Sequence, residues 1–303
     1  MYKNVLITGG SGFIGSNFDF GVKLSRKDCN LMDLEETVKV FDHIGPDAII
    51  HTAGKIGGVL GNINEKGRYC YENNVINTNV LEAARLVGVK RVLSLSSTCA
   101  YPEQAPLPYV ERDFHNGMPH EAHYGYAYAK RMMDIMSRTY YEQYGVIYNC
   151  LVLGNVYGPY DHFNNVNGHV IPSLIGKCWD SYVNKKPFVV WGSGTPLRQL
   201  IYVKDVVNIC KWALEGFTSL GIMNICNSIE YSIKDIALEI KENFDPLISV
   251  EFDLTKPDGQ FRKPASIYKF RSVNPNFNFI SFEEGISNTI EWYVQAKNKG
   301  VIV

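Results

Sequence analysis

A short apolar run, Val5-Leu6-Ile7-Thr8, leads directly into Gly9-Gly10-Ser11-Gly12-Phe13-Ile14-Gly15. A buried strand followed at once by Gly9-x-x-Gly12-x-x-Gly15 brings bare backbone to the start of a helix. There, N–H groups can meet a pyrophosphate that side chains would otherwise hold away. Glycine triplets also make ordinary tight turns, so the weight of this one comes from its place at the first strand of a repeating strand–helix pattern. On that reading residues Gly9, Gly10, Ser11, Gly12, Phe13, Ile14 and Gly15 form the first wall of a dinucleotide site.

The pattern continues along the chain. Asp33, with Glu36 three residues later, reads as an N-cap and its capping-box partner, opening a helix that runs to about His43 before Gly45-Pro46 stops it. Residues 48–53 form the next strand, ending at Ala53 and Gly54, which are assigned to the cofactor site. A helix is predicted over 74–87, closed by Gly88, and a strand over 92–95 enters the polar cluster Ser96-Ser97-Thr98-Cys99. A long helix over 126–144 ends at Gly145, and a strand over 148–153 brings Leu153 and, just beyond it, Val156 towards the cofactor. Strands alternating with helices predict an α/β fold, a Rossmann-like doubly wound parallel sheet with ligands beyond the carboxyl ends of its strands. From about Tyr157 the spacing becomes irregular. Residues 1–156 are therefore expected to be a dinucleotide-binding domain, and 157–303 mainly a smaller substrate lobe, with stretches such as 201–214 returning to the first domain.

The first crossover is anomalous. Very few residues separate Ser16 from a second strand placed at about 22–25, whereas parallel strands need a connection of about 10 or more. Either the first crossover helix is truncated to a stub or the second strand lies elsewhere. At the end of that strand an NAD site would offer a carboxylate to the ribose 2′-hydroxyl. This chain has Leu24-Ser25-Arg26-Lys27-Asp28. Arg26, helped by Ser11 and Lys27, suits a 2′-phosphate and favours NADP(H); a solvated basic pair is the alternative.

Tyr126-Ala127-Tyr128-Ala129-Lys130 puts Tyr126 and Lys130 one helical turn apart on one face. An ammonium there would stabilise phenolate and could hold a nicotinamide ribose, making Tyr126 a proton donor to a carbonyl oxygen with Ser97 beside it.

Composition narrows the partners. Thirty basic residues stand against 31 acidic ones with no block of like charge, which disfavours a nucleic-acid arm or a membrane-surface helix. The N-terminus has no signal-peptide core, and no run of about 20 apolar residues occurs. The seven cysteines are odd in number, widely spaced and free of C-x-x-C, so neither a disulfide framework nor a metal site is expected, and a cytoplasmic setting fits.

The glycine turn, Ser97-Thr98-Cys99, Tyr126-Ala127-Tyr128-Ala129-Lys130-Arg131-Met132, Asn155-Val156-Tyr157-Gly158-Pro159, Gly168-His169-Val170-Ile171-Pro172, Trp191-Gly192-Ser193-Gly194 and Lys256-Pro257-Asp258-Gly259-Gln260-Phe261 occur in order along nearly the whole chain. Together they resemble the GDP-L-fucose synthase family of the extended short-chain dehydrogenases/reductases. The resemblance implies a bifunctional epimerase-reductase: inversion at C3 and C5 of GDP-4-keto-6-deoxy-D-mannose, then NADPH-dependent reduction at C4 to GDP-L-fucose. It implies that Cys99 and His169 carry the epimerisation beside Ser97, Tyr126 and Lys130. By themselves Cys99 could be a small buried hydrophobe and His169 a helix cap. Cys99 lies two residues after Ser97, so in an extended strand end the two side chains would face one way.

The resemblance further implies substrate contacts from Asn155, Lys177, Trp191, Arg198 and Asp258, the last as an acceptor for a base or sugar hydroxyl. It also implies a homodimer joined as a four-helix bundle through the helices at 74–87 and 126–144, with Val80, Leu81, Met132 and Met136 either there or in the core. One departure is Leu153-Gly154, where the family tends to carry Pro-Thr. The alternatives are the same chemistry on a related GDP-4-keto sugar (a colitose precursor or keto-heptose), an NAD-dependent nucleotide-sugar 4-epimerase or dehydratase, and a dinucleotide-sensing binding protein.

Overall fold

The computed structural model describes residues 2–57, 64–163 and 169–301, so Gly168 of the quoted motif lies outside the described residues. Branched apolar runs buried on both faces are what a helix-covered parallel sheet requires. β1 (Val5–Thr8) and β3 (Ala48–His51) are buried at every position. With β2 (Val22–Leu24), β4 (Arg91–Ser97), β5 (Ile147–Leu153) and β9 (Gly221–Ile225) they form a six-stranded sheet in the order β2-β1-β3-β4-β5-β9, parallel throughout. The chain reverses its direction across the sheet between β1 and β3. A crevice therefore opens beyond their carboxyl ends, at Gly9 and Ala53.

The short crossover is real. α1 (Phe13–Ser16) is a four-residue stub, and β2 pairs in register with β1 from Leu6 opposite Val22 to Thr8 opposite Leu24. Asn17 ties the stub down, its side-chain amide donating to the carbonyls of Phe13 and Pro159, both at 2.9 Å. Phe18, 2% exposed, drops into the main core and meets Phe20 edge-on, ring centroids 5.4 Å apart. Burying one such ring contributes about 1.5–3 kcal/mol, so aromatic contacts stand in for the apolar face of a full helix.

α2 (Leu34–Ile44) begins as predicted, with the Asp33 carboxylate accepting from the Glu36 N–H at 3.0 Å. The reciprocal half of the capping box is absent, because the Glu36 carboxylate accepts instead from the Asn30 N–H at 2.9 Å. α3 (Lys66–Leu86) starts eight residues before the predicted position at 74. Its first turns carry no apolar stripe; Arg68 braces them by pairing with Glu65 and Glu72. α4 (Tyr124–Tyr144) ends on left-handed Gly145 as expected. Val80 and Leu81 are fully buried in the core under α2 and α3, whereas Met132 is 41% exposed.

The rest of the chain builds a second core. β6 (Asn155–Tyr157), β8 (Leu197–Tyr202) and β10 (Glu230–Ser232) form one small sheet, and β7 (Phe188–Trp191) pairs with β11 (Val250–Asp253) in another. α5 (Val170–Asn184), α7 (Ile233–Phe244) and α9 (Phe282–Asn298) pack around Ile175, Ile236, Ile240 and Ile286. α6 (Val203–Gly216) does return to the first core, burying Val206, Ile209, Cys210 and Ala213 there, and α8 (Tyr268–Val273) adds Phe270. β9, absent from the sequence reading, follows α6 and completes the sheet beside β5. No helix among the described residues is long and apolar enough to cross a membrane.

Arg91 holds this return in place. Only 2% exposed, it donates at the end of α6 to the carbonyls of Ala213 at 2.6 Å, Leu214 at 3.1 Å and Phe217 at 2.7 Å, and to the Asn149 side chain. Burial pulls its pKa down to about 10, which leaves the guanidinium charged at neutral pH. Arg91→Met removes these buried hydrogen bonds and is expected to destabilise the protein by on the order of 3 kcal/mol in urea unfolding, with Arg91→Lys intermediate.

Candidate active site

At the mouth of the crevice the glycines are required by close backbone approach. Gly9 adopts φ +69°, and a Cβ on it would lie 2.7 Å from the Ala53 Cα. A Cβ on Gly15 would collide with the Gly9 carbonyl oxygen. The turn is closed by Gly12 N–H donating to Gly9 O and Gly10 N–H to Leu24 O, both at 2.9 Å, while Ser11 and Gly12 stay exposed. Facing it, Asn73 clamps the segment after β3. Its amide oxygen accepts from Lys55 N–H at 2.9 Å, and its amide nitrogen donates to Lys55 O at 2.9 Å and Tyr69 O at 2.7 Å. Gly54 is held beside Lys130, whose Nζ would be 3.8 Å from a Cβ there.

A buried chain links this cradle to α4. His51 is almost wholly enclosed, and burial, aided by Lys130, pulls its pKa down to about 4, so the imidazole is neutral. The Asn77 amide nitrogen donates to the Ala129 carbonyl at 3.0 Å, which leaves its oxygen to accept from His51 Nε2–H at 3.0 Å. Nδ1 must then accept from the Thr8 hydroxyl at 2.8 Å. Neither His51, Asn73 nor Asn77 stood out in the sequence.

Arg26 is exposed in the turn after β2. One oxygen of the nearby Asp28 carboxylate is engaged within that turn, accepting from the Ser25 N–H at 2.8 Å and hydroxyl at 2.5 Å. Arg26 and Lys27 are both exposed at this edge. Leu153 is 4% exposed in the main core, and Val156 packs between the two cores. Glycine at 154 has a local cause: a Cβ there would lie 2.9 Å from that of Cys226.

The candidate catalytic residues gather where β4 ends. The Ser97 hydroxyl caps a short 3-10 turn, Thr98–Ala100, by accepting from the Cys99 N–H at 3.2 Å. Cys99 therefore sits in a turn, and the strand alternation invoked for it does not apply. Lys130, 4% exposed, donates to the Leu95 carbonyl at 2.8 Å and lies 5.7 Å from the Tyr126 ring centroid. Burial brings Lys130 down to about 8. Burial, with Cys99 beside it, raises the Tyr126 phenol above its ordinary value, contrary to the lowering expected from the lysine. The phenol is thus protonated at neutral pH, as a proton donor must be.

Cys99 and His169 are polarised in opposite senses. Burial alone would raise the Cys99 thiol, but the Lys263 ammonium, the Ser97 hydroxyl and His169 outweigh it and lower the pKa. Lys263 Nζ is 3.6 Å from Sγ, a contact between residues 164 positions apart that sequence reasoning missed. His123 adds a ring nitrogen 3.1 Å from the Cys99 carbonyl. His169, half-exposed at the start of α5, has Nδ1 3.5 Å from an Asp161 carboxylate oxygen. That bond, opposed by burial and aided by Cys99, raises its pKa.

In the second lobe Lys177 Nζ lies 3.9 Å over the half-exposed Trp191 ring. The half-buried Arg198 guanidinium donates to the Leu197 carbonyl at 2.7 Å, and Asn155 donates to Gln199 O at 2.8 Å. Asp258 already accepts two hydrogen bonds, its two carboxylate oxygens taking the Ser193 N–H at 2.6 Å and hydroxyl at 2.9 Å, which latches its segment onto the turn after β7 and leaves each oxygen further acceptor capacity.

A glycine cradle at the switch point of a parallel sheet, with Ser97, Tyr126 and Lys130 beyond it and a second lobe that presents Lys177 and Arg198, defines an extended short-chain dehydrogenase/reductase. The profile of the NAD dependent epimerase/dehydratase family matches residues 20–226, and the chain belongs to that family, in its GDP-L-fucose synthase branch. It is 35% identical to the GDP-L-fucose synthase of Dictyostelium discoideum over 96% of this chain and 95% of that one. The NADP-bound crystal structure of a GDP-L-fucose synthetase from Naegleria fowleri superposes with a TM-score of 0.93 at 34% identity, covering 98% of this chain and 95% of that one. A GDP-L-colitose synthase from Yersinia pseudotuberculosis is 28% identical over 97% of this chain and 99% of its own length.

Removing Lys263 removes the main charge that holds the Cys99 thiol down. Lys263→Met is expected to move the pH profile of Cys99 alkylation, followed on its own peptide by mass spectrometry, to higher pH. At pH 7 the reaction should slow about tenfold.

Proposed function

We propose that the protein is a bifunctional epimerase-reductase acting on GDP-4-keto-6-deoxy-D-mannose with NADPH. The observation that carries this reading is the opposite polarisation of Cys99 by Lys263 and of His169 by Asp161 beside Tyr126. A plain dehydrogenase needs only the Ser97, Tyr126 and Lys130 set; inversion at carbon needs a base and an acid as well.

The glycine cradle fits a dinucleotide, since its backbone admits no side chain at Gly9 or Gly15. Residues 9–15, Ala53 and Gly54 hold the pyrophosphate and ribose side, Arg26 meets the 2′-phosphate, and Lys130, Leu153 and Val156 border the nicotinamide. When bound, NADPH supplies the hydride. Residues 1–156 carry this site, and 157–303 mainly carry the nucleotide sugar. Lys177 and Arg198 neutralise its diphosphate, Trp191 offers a flat wall, Asn155 holds the sugar, and Asp258 keeps the 256–259 segment closed on Ser193.

Hydrogens on C3 and C5 of a 4-keto sugar are acidic because the enolate oxygen can be stabilised, here by Ser97 and Tyr126. Cys99, as thiolate, removes the proton, and His169, as imidazolium, returns one to the opposite face. Tyr126 then donates its proton to the C4 oxygen as the ketone becomes an alcohol. The protein works as a homodimer joined through α3 and α4, which expose Tyr71, Tyr128, Met132 and Ile135. Its seven unpaired thiols suit the cytoplasm.

Incubation of substrate and NADPH in deuterated water should place deuterium at both C3 and C5 with reduction at C4, and NADPH should outperform NADH. Tyr126→Phe should slow reduction by roughly 10²–10⁴-fold. Hydride transfer without solvent exchange would leave only a reductase, faster turnover of a colitose or heptose precursor would reassign the substrate, and turnover without net NADPH consumption would indicate a 4-epimerase or dehydratase.

A further inference from the structure

We infer that Asp161 is a positioning residue for His169: its buried carboxylate holds the imidazole through Nδ1 and leaves Nε2 as the proton-bearing atom offered to the substrate. This rests on the reading of His169 as the acid of the epimerisation. It adds to that reading a residue from the far end of the Asn155–Pro159 segment.

The backbone delivers Asp161 inward at a cost. After β6, Gly158 takes φ +151°, where a Cβ would collide with the Val203 side chain. Tyr160 then takes φ +67°, a left-handed conformation that costs a non-glycine residue of order 1–3 kcal/mol and persists only where the surroundings enforce it. Its ring packs against that of Trp292 on α9, centroids 4.8 Å apart with the planes tilted by 50°. These two positive-φ residues, one on either side of Pro159, lead the chain to Asp161, whose side chain lies in the interior with 1% of its surface exposed.

The carboxylate is under-satisfied there. One oxygen accepts from the His162 N–H at 2.7 Å and faces His169 Nδ1 at 3.5 Å. The other is buried without a hydrogen-bond partner among the described residues. A buried carboxylate with so few bonds is stable only beside a positive charge. His169 supplies it when protonated, with Nδ1–H donating to Asp161 and Nε2–H free. The imidazole is half-exposed, so its other end is open to solvent and substrate.

The charged groups facing His169 are Asp161 from the turn after β6, Cys99 from the turn after β4, and Lys263 from the segment before α8. Asp161 and the Cys99 thiolate favour the imidazolium, whereas Lys263 opposes it. Removing Asp161 takes away the largest favourable contribution, and the histidine becomes easier to deprotonate. Its loss of charge, and with it the basic limb of proton delivery, then moves to lower pH.

The test is the Asp161→Asn variant of the full-length protein, read two ways. In an NMR titration of histidine-labelled protein, with the His169 signal assigned from a His169→Gln variant, the wild-type midpoint should lie above the ordinary value of about 6.5. In Asp161→Asn it should fall by about one unit or more. In deuterium incorporation at C3 and C5, the basic limb should move to lower pH by the same interval. At a pH above both midpoints exchange should then drop about tenfold, while Asp161→Glu recovers part of the loss.

A wild-type midpoint at or below 6.5 would overturn the inference even if the variant failed to fold. So would a folded Asp161→Asn protein with an unmoved midpoint, or one losing exchange equally at every pH. Absence of deuterium in the wild-type product would instead defeat the functional reading, and the titration would still judge Asp161.

Discussion

The buried hydrogen-bond chain from Thr8 through His51 and Asn77 to the Ala129 carbonyl makes one unit of what would otherwise be four separate elements. Thr8 ends β1 immediately before the glycine cradle, His51 ends β3, Asn77 lies on α3, and Ala129 precedes Lys130 on α4. Each link admits one donor and one acceptor, so the neutral histidine has a single tautomer and the spacing between cradle and catalytic helix is set. A charged or absent imidazole would leave a buried partner unmatched at a cost of 1–3 kcal/mol or so. These polar groups in the core fix the glycine turn after β1 relative to the helix that carries Tyr126 and Lys130.

Burial also determines what each reacting group can do. Enclosure by itself drives a phenol and a thiol up and an ammonium down. Tyr126 follows that rule and stays protonated, and Lys130, brought to about 8, follows it as well. Cys99 escapes it because Lys263 is in contact, and His169 because Asp161 is. A specific charge in contact with Cys99 and with His169 thus sets these two apart from Tyr126, whose phenol follows its burial although Lys130 Nζ lies 5.7 Å from its ring centroid.

Local signals were legible in the sequence: the glycine turn after β1, the Asp33 cap, the Tyr126–Lys130 spacing and the left-handed Gly145 all follow from a few consecutive residues. The groups missed are those whose meaning exists only in three dimensions. Lys263 reaches Cys99 across 164 positions, and Asp161 gains its role from strain at Tyr160 and a ring on α9. The start of α3 was misplaced because its first turns are held by ion pairs, which leave no apolar period to detect. Asp258 was identified as a site residue by motif, yet its carboxylate is bonded to Ser193, a role that only the meeting of two distant loops reveals.

The same distinction explains the two departures from the family pattern. Leu153-Gly154 reflects the tight approach of Cys226, for which a residue with a Cβ at 154 leaves too little room. The short connection after Gly15 removes helix from the sheet's outer face. The cradle survives because its glycines close on each other and on Ala53, and because Asn17 and Phe18 fasten the stub to Pro159 and the main core. The family profile begins at residue 20, beyond this segment. The shortening leaves Arg26 and Lys27 exposed on the turn after β2, where one oxygen of Asp28 is bonded to Ser25 and the Glu72 carboxylate feels the Arg26 charge.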